Sequence, residues 1–210
     1  MAHYDEKYFN WQKEVGKIGG YLNKFKFDDE VKETDVLMDF GCGGGYLLDN
    51  FTNTTKIGFE INKSAWDEIT SKGITAVDNF NNIDNDTIDC IISNHAMEHV
   101  PSPIEVLNNL FKKLKKGGKL IVVIPCEQPS EAGFYYKKGD INQHLHTWCP
   151  MTFGNLVTLA GFEVIHCGCF QHQWTPNWKT DWNKPDFHQK CREHAIKNNN
   201  IQIKLIATKL

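Results

Sequence analysis

From residue 36 onward the apolar positions fall into short blocks separated by polar, helix-forming stretches. VLMDF (36–40), TKIGFE (55–60), ITAV (74–77), IDCIIS (88–93) and KLIVVIP (119–125) have the length and branching of strands buried in a parallel sheet. Between them the pattern predicts a short helix over 44–52 and a second over 63–72, stopped by Gly73. A third runs from Pro103 through Leu114 to the Gly117-Gly118 stop. Strands alternating with helices of this length predict right-handed βαβ units and a parallel sheet covered on both faces.

After residue 125 the alternation loosens. A connection over 127–149 leads to a predicted helix at 150–160 and a strand at 162–169. A second connection, 170–200, carries Trp174, Trp178 and Trp182 and a helix over 185–197, and a strand at 201–208 closes the chain. The first 35 residues are polar and aromatic, with Tyr4, Tyr8, Phe9 and Trp11 ahead of Gly16, Gly19 and Gly20. There is no internal repeat, and Asn198-Asn199-Asn200 reads as a turn.

The 210 residues carry a formal net charge of −3, which excludes a binder that works by neutralising nucleic-acid phosphates. Arg192 is the only arginine, so recognition by forked guanidinium clusters is excluded too. Seven cysteines without regular spacing indicate reduced thiols instead of a disulfide framework. No apolar run approaches a bilayer span, and the first ten residues lack the order of a signal peptide; the expectation is a soluble, cytoplasmic protein with no membrane insertion.

The candidate chemistry begins at Phe40-Gly41-Cys42-Gly43-Gly44-Gly45, which follows the first strand and opens a helix. Ligands of open α/β sheets bind at such strand ends, and glycines let them approach the backbone. Glu60 ends the second strand, close to the offset of about 20 residues at which a carboxylate takes ribose hydroxyls. A dinucleotide fingerprint needs glycine at position 46, where this chain has Tyr46. The loop is G-x-G-x-G, preceded by Asp39, whose carboxylate suits a ligand with an ammonium group. The plain alternative is a tight strand–helix turn beside a surface glutamate.

Here the chain resembles the class I S-adenosylmethionine-dependent methyltransferases, in VLMDFGCGGG (36–45), GFEIN (58–62), IDCIISNHAMEHVPSP (88–103) and LKKGGKLIVVIP (114–125). The resemblance implies a Rossmann-like, doubly wound α/β sheet of seven strands, mostly parallel, ending in an antiparallel hairpin from 162–169 and 201–208. It implies S-adenosylmethionine as cofactor, with S-adenosylhomocysteine as product. Asp39, Gly41, Cys42, Gly43 and Tyr46 would lie at the methionine end, Glu60 and Ile61 at the ribose, Asp78, Asn79 and Phe80 along the adenine, and Asn94 with His95 near the sulfonium.

Ser93-Asn94-His95-Ala96 stands where base N-methylating relatives of this fold carry Asp/Asn-Pro-Pro-Tyr, so no nucleic-acid partner is expected. Cys126 lacks the second cysteine of the cytosine-5 enzymes and reads as a buried thiol. Outside the cofactor loop the most informative stretch is NQHLHTW (142–148): His144 and His146 alternate, face one way if extended, and suit deprotonation of a hydroxyl. Nothing in the sequence chooses between them. In MEHV (97–100) His99 reads as a structural residue; Glu98 resembles a metal-ligand position of quinone O-methyltransferases, but further carboxylates are not evident, so no metal is expected. His166, Cys167, Cys169 and His172 are too tightly spaced for structural zinc.

The three tryptophans form either the core of the cap or, with Tyr8 and Trp11, a lid over an acceptor ring; Tyr8, Trp11, Trp148 and Trp174 are the substrate candidates. The whole chain then reads as one methyltransferase domain: a cap over 1–30, a cofactor core over 31–126 and a substrate-side half over 127–210. The acceptor expected is a small molecule, a sugar or nucleotide-linked intermediate of surface-glycan synthesis methylated on oxygen. The alternatives are a nicotinamide-dependent oxidoreductase and a non-catalytic cofactor-binding scaffold. The oligomeric state is not legible.

Overall fold

The computed structural model describes residues 6–126, 138 and 143–210, apart from the side chains of residues 6–8 and 11. The chain opens with α1 (Glu6–Asn23) and a 3-10 turn, then runs β1 (Leu37–Phe40), α2 (Tyr46–Asp49), β2 (Lys56–Phe59), α3 (Trp66–Thr70), β3 (Thr75–Val77) and β4 (Ile88–Asn94). It continues through α4 (Pro103–Lys113), β5 (Leu114–Pro125), α5 (Pro150–Leu159), β6 (Glu163–Phe170), α6 (Trp178–Asp181), α7 (Phe187–Lys197) and β7 (Gln202–Thr208). The sheet has seven strands in the order β3-β2-β1-β4-β5-β7-β6. The first five are parallel, whereas β7 lies antiparallel between β5 and β6, as the hairpin expectation required.

Side-chain alternation on β1 sorts the core into two layers. Met38 and Phe40 face a cluster with Ile91, Leu107, Leu110, Leu120, Phe153 and Val157, under α4 and α5. Leu37 faces the opposite cluster of Leu47, Leu48, Phe51, Ile69 and Ile74, under α2 and α3. Asp39, in phase with Leu37, is carried into the interior on that second side with 2% of its surface exposed.

Three elements differ from the sequence expectation, each for a local reason. The helix expected over 44–52 is a single turn, because Gly45 sits at φ +73° and Asn50 closes the turn by donating to the Tyr46 carbonyl at 2.7 Å. The Gly117-Gly118 stop lies inside β5, where the register against β4 shifts between Ile88 and Cys90 and Gly117 takes φ +75°. The largest difference is α1, which has no counterpart in the pattern analysis. Three glycines in a helix cost about 2–3 kcal/mol relative to alanine, so propensity argues against it.

Packing explains both the helix and its glycines. A Cβ at Gly20 would lie 2.3 Å from the Tyr46 carbonyl oxygen, one at Gly16 would meet the Tyr46 ring at 2.4 Å, and one at Gly19 would meet the Trp174 ring at 2.8 Å. The helix therefore lays its backbone directly on α2 and against Trp174. Ile18 and Leu22, on the same helix, pack with Phe187, Cys191 and the three tryptophans into a separate cap core.

In an isolated helix Gly20→Ala would gain about 1 kcal/mol. Here the added methyl meets backbone that cannot rotate away, and overpacking of that kind costs about 1–3 kcal/mol. The expected net effect of Gly20→Ala is a lower thermal midpoint; an unchanged or raised midpoint would show that α1 does not rest on α2 as described.

Candidate active site

The glycine loop is held to the end of β2 by a run of hydrogen bonds. The amides of Gly41 and Cys42 both donate to the Phe59 carbonyl, at 2.9 and 3.2 Å. The Gly43 amide donates to Glu60 Oε2 at 2.9 Å, and the Asn62 amide donates to Oε1 at 2.8 Å. Glu60 thus has both oxygens oriented, and each keeps a lone pair for a further donor. The left-handed φ values of Gly41 and Gly43, +78° and +53°, exclude other residues without strain. A Cβ at Gly41 would also collide with the Ala96 methyl at 2.4 Å.

Two cavities flank this loop. One, of about 290 Å³, is apolar and lies between Ile61, Phe59 and Phe80 on one side and Ala96, Val100, Pro101 and Val106 on the other, with Glu60 at its edge. The second, of about 310 Å³, lies beneath α1 and is lined by Asp39, Cys42, Tyr46, Asn94, Glu98 and His144, among others. Gln12, Gly41, His95 and His99 border both, so the two form one groove across the carboxyl ends of the strands. A third cavity, of about 740 Å³, opens beyond Asn94 and His95 between Lys26, His172, Trp174, Trp178 and His194.

Of the residues expected along the adenine, Phe80 stacks on Phe59 at 4.4 Å and walls the apolar slot. Asp78 instead pairs with Lys63 at 3.2 Å, and Asn79 accepts from the Asn81 amide at 2.9 Å, an Asx turn that sets up the 3-10 turn holding Phe80. Residues 143–148 alternate in burial as an extended segment does, with 144, 146 and 148 turned inward. His144 reaches the groove, whereas His146 stacks on Trp148 at 5.4 Å and Trp148 packs on Phe153 at 5.2 Å. Trp174 lines two of the cavities while resting on Gly19, so it belongs to the cap core and the site wall together. The side chains of Tyr8 and Trp11, and most of the 127–149 connection, lie outside the described residues.

Several site residues escaped the sequence reading. Gln12 was hidden because α1 was not foreseen, and Val100 and Pro101 because nothing local marks them as a slot wall. Lys26 was missed as well. It is 4% exposed and donates to Asn94 Oδ1 at 3.1 Å and Gln202 Oε1 at 2.9 Å. Burial lowers its pKa to about 7, against the opposing pull of Glu98. The late cysteine–histidine set does not converge: Cys167 bonds the Pro150 carbonyl at 3.2 Å and His172 pairs with His188 at 3.0 Å. Cys126 is buried.

The electrostatics are those of carboxylates held out of water. Burial, reinforced by Glu60, pushes the Asp39 carboxyl well above its ordinary range, and burial raises Glu60 despite its backbone donors. Burial alone would raise Glu98 as well, but His95 and His99 outweigh it and its pKa is lowered. Asp39 Oδ1 is buried without a hydrogen-bond partner.

A seven-stranded sheet of this order, with a glycine loop, an oriented acidic residue and an apolar slot at its strand ends, is the architecture of S-adenosylmethionine-dependent methyltransferases. The chain belongs to the methyltransferase-domain family, whose model matches residues 4–167. It is 24% identical over 165 residues to phosphoethanolamine N-methyltransferase 3 of Arabidopsis thaliana; the match covers 70% of this chain but spans only 33% of that relative. In fold it is similar to a SAM dependent methyltransferase from Archaeoglobus fulgidus, with 17% identity, a TM-score of 0.68 and coverage of 96% and 99% of the two chains. It also resembles phosphoethanolamine N-methyltransferase 2 of Haemonchus contortus in complex with S-adenosyl-L-methionine, with 12% identity, a TM-score of 0.58 and coverage of 96% and 60%.

The chain thus carries a methyltransferase domain, and the nicotinamide alternative is set aside; the Haemonchus contortus neighbour of like fold holds S-adenosyl-L-methionine. The residues present fit that cofactor: an orphaned buried carboxylate oxygen suits an ammonium, the half-used Glu60 suits a diol, and the apolar slot suits a flat base. Among the described residues no helix is long and apolar enough to cross a membrane.

Asp39 makes the ligand-free protein sensitive to pH in a defined direction. A carboxyl whose folded pKa lies above its unfolded value contributes most stability below the unfolded pKa of about 3.9. That contribution is lost as pH rises through the raised, folded pKa. In denaturant titrations without cofactor, Asp39→Asn should therefore gain on the wild type as pH increases. A gap that stays constant with pH would mean that Asp39 does not titrate on folding.

Proposed function

We propose that the protein methylates a hydroxyl of a small acceptor, a sugar or nucleotide-linked sugar, held beneath the α1–Trp174 cap. The observation that supports this reading is the convergence of His95, His99 and His144 on the buried Glu98, where the two cavities of the groove meet. S-adenosylmethionine supplies a methyl group activated by a positively charged sulfur. The chain's task is to hold that methyl in line with an acceptor atom and to take away the acceptor's proton.

In this reading Asp39 takes the cofactor's ammonium group, Glu60 the ribose hydroxyls, and the Phe80–Val100 slot the adenine. Gly41, Cys42, Gly43 and Tyr46 line the methionine end, with Asn94 and His95 beside the sulfur. His144, not His146, borders the groove and so faces the acceptor, where an imidazole can accept a hydroxyl proton at neutral pH. The outer cavity supplies the acceptor chamber. Trp174 and Trp178, with ring centroids 4.8 Å apart, offer aromatic surface for the apolar face of a pyranose. Lys26, His172 and His194 stand on the same wall for a phosphate of a nucleotide-linked acceptor.

Asp39→Asn is expected to weaken S-adenosylmethionine binding about 10–100-fold, the scale of a lost charge-assisted hydrogen bond. Calorimetric titration at pH 6–7 checks it, and unchanged affinity would remove Asp39 from the ammonium site.

The acceptor is tested by methyl-transfer assays on free sugars, nucleotide sugars and phosphoethanolamine, with the position of the methyl group read by mass spectrometry and NMR. Preferential N-methylation of phosphoethanolamine would overturn the O-methyl reading. With the accepted substrate, His144→Asn should lower kcat about 10²-fold, while His146→Asn stays near wild type. The reverse order would assign the proton acceptor to His146.

A further inference from the structure

Glu98 has no second carboxylate near it in the sequence, yet the fold brings His144 from a distant segment to Glu98 and its chain neighbour His99. The carbonyl of Glu98 accepts from the amides of Leu145 and His146, at 2.8 and 3.2 Å, which pins the 143–148 segment beside the 3-10 turn Met97–His99. His144 consequently lies edge-on to His99, with ring centroids 4.9 Å apart. One ligating atom from each of Glu98, His99 and His144 falls within 4.8 Å of the others.

The carboxylate is the unusual member. Glu98 is 0% exposed, and neither oxygen has a partner at hydrogen-bond geometry. Its nearest nitrogens are His95 Nδ1 at 3.5 Å and His99 Nε2 at 3.9 Å. An ionised, buried carboxylate without donors costs several kcal/mol unless a positive charge compensates it. Two atoms bound to one cation at about 2.0–2.2 Å lie roughly 3–3.5 Å apart, so the three ligand atoms, now within 4.8 Å of one another, must draw in by up to about 1–2 Å to close on an ion.

His95 strengthens the case through its tautomer. Gln202 Nε2 donates to the His172 carbonyl, which turns Oε1 toward Lys26 and His95. His95 Nε2, 3.1 Å from that oxygen, must then be the protonated nitrogen. Nδ1 consequently presents a lone pair to the Glu98 carboxylate unless a second proton or a cation lies between them. A ring nitrogen fixed by an outer hydrogen bond is the arrangement that orients metal-binding histidines. His95 and Gln143, on either side of the cluster, also hold left-handed φ values of +56° and +47°, a strain of about 1–3 kcal/mol each.

We propose that Glu98, His99 and His144 bind a divalent cation where the two cavities of the groove meet, with His95 beside the same carboxylate. Two imidazoles and one carboxylate suit a first-row transition ion such as zinc, cobalt or manganese better than magnesium or calcium, which favour all-oxygen sets. Three protein ligands leave a position open toward the groove. An acceptor hydroxyl held there would lose its proton near neutral pH, as metal-bound water does with its pKa lowered to about 7. The proton passes to solvent and the oxygen keeps the electron pair with which it attacks the methyl. This role for the ion rests on the O-methylation reading above, with His144 serving as a ligand of the ion in place of accepting the proton itself; the ion's binding does not rest on that reading.

The test begins with chelator-treated full-length protein titrated with Co²⁺, followed by its visible ligand-field absorption, and with Zn²⁺, followed by the rise in melting temperature. One equivalent should bind, with the melting temperature rising as ligand linkage requires. Glu98→Gln and His144→Asn should each weaken uptake at least 100-fold, about 2.7 kcal/mol at 1.4 kcal/mol per decade. His144→Asn changes a half-buried segment and keeps the test decisive if Glu98→Gln melts without cooperativity. Failure of the wild type to take up either ion, or uptake by His144→Asn with wild-type affinity, would overturn the proposal. Stoichiometric uptake without methylation of any hydroxyl acceptor would preserve the site and sink the O-methyl reading. Full methyl transfer in chelator by ion-free protein would leave that reading intact and overturn the catalytic role of the ion.

Discussion

The site depends on the grip that the end of β2 keeps on the loop after β1. Four amides carry it: Gly41 and Cys42 on the Phe59 carbonyl, Gly43 and Asn62 on the Glu60 carboxylate. The parallel register of Leu37–Phe40 against Lys56–Phe59 sets these groups opposite one another. Because the loop is fixed there, Asp39 is carried into the interior on the neighbouring position, and Gly45 turns the chain so that α2 starts beneath α1. A carboxylate on a looser loop would move toward water instead of standing buried with an unbonded oxygen. The low-dielectric setting that makes Asp39 costly without a cation is the same one that makes it selective for a ligand that brings one.

A second dependence runs through α1. Its glycines sacrifice helix propensity so that backbone can lie on backbone at Tyr46, and the outer side of the same helix anchors the tryptophan cap through Ile18 and Leu22. The groove and the outer cavity therefore share one wall. Trp174 against Gly19 ties residues 170–200 to α1, which rests in turn on Tyr46 after the glycine loop.

The charged interior forms a continuous polar seam: Lys26, Asn94, Gln202, His95 and Glu98 follow one another at hydrogen-bond or near hydrogen-bond spacing. It crosses from β4 to β7, the strand that the sheet inserts between β5 and β6. Gln202 sits at the start of that strand and holds both Lys26 and His95, so the antiparallel hairpin takes part in orienting groups that line the groove.

The five parallel strands, the glycine loop and the position of Glu60 were legible from local features: short apolar runs, glycines after a strand and the offset from strand end to acidic residue. The antiparallel hairpin and the expectation for residues 78–80 came from the family resemblance instead; there Phe80 walls the apolar slot, while Asp78 and Asn79 enter an ion pair and a turn. What only the tertiary structure decided depended on partners far apart in the chain. Helix α1 contradicts its own propensity and exists because α2 and Trp174 need glycine against them. Gln12, Lys26 and Val100 gain their places from elements that the pattern could not set face to face. That His144 lines the groove while His146 stacks on Trp148, and that His144 meets Glu98 and His99, goes with the pinning of that segment by two amide bonds to a single carbonyl. No spacing in the sequence announces such a meeting, because a contact across some 45 residues is fixed by the free energy of the whole fold and not by local backbone preference.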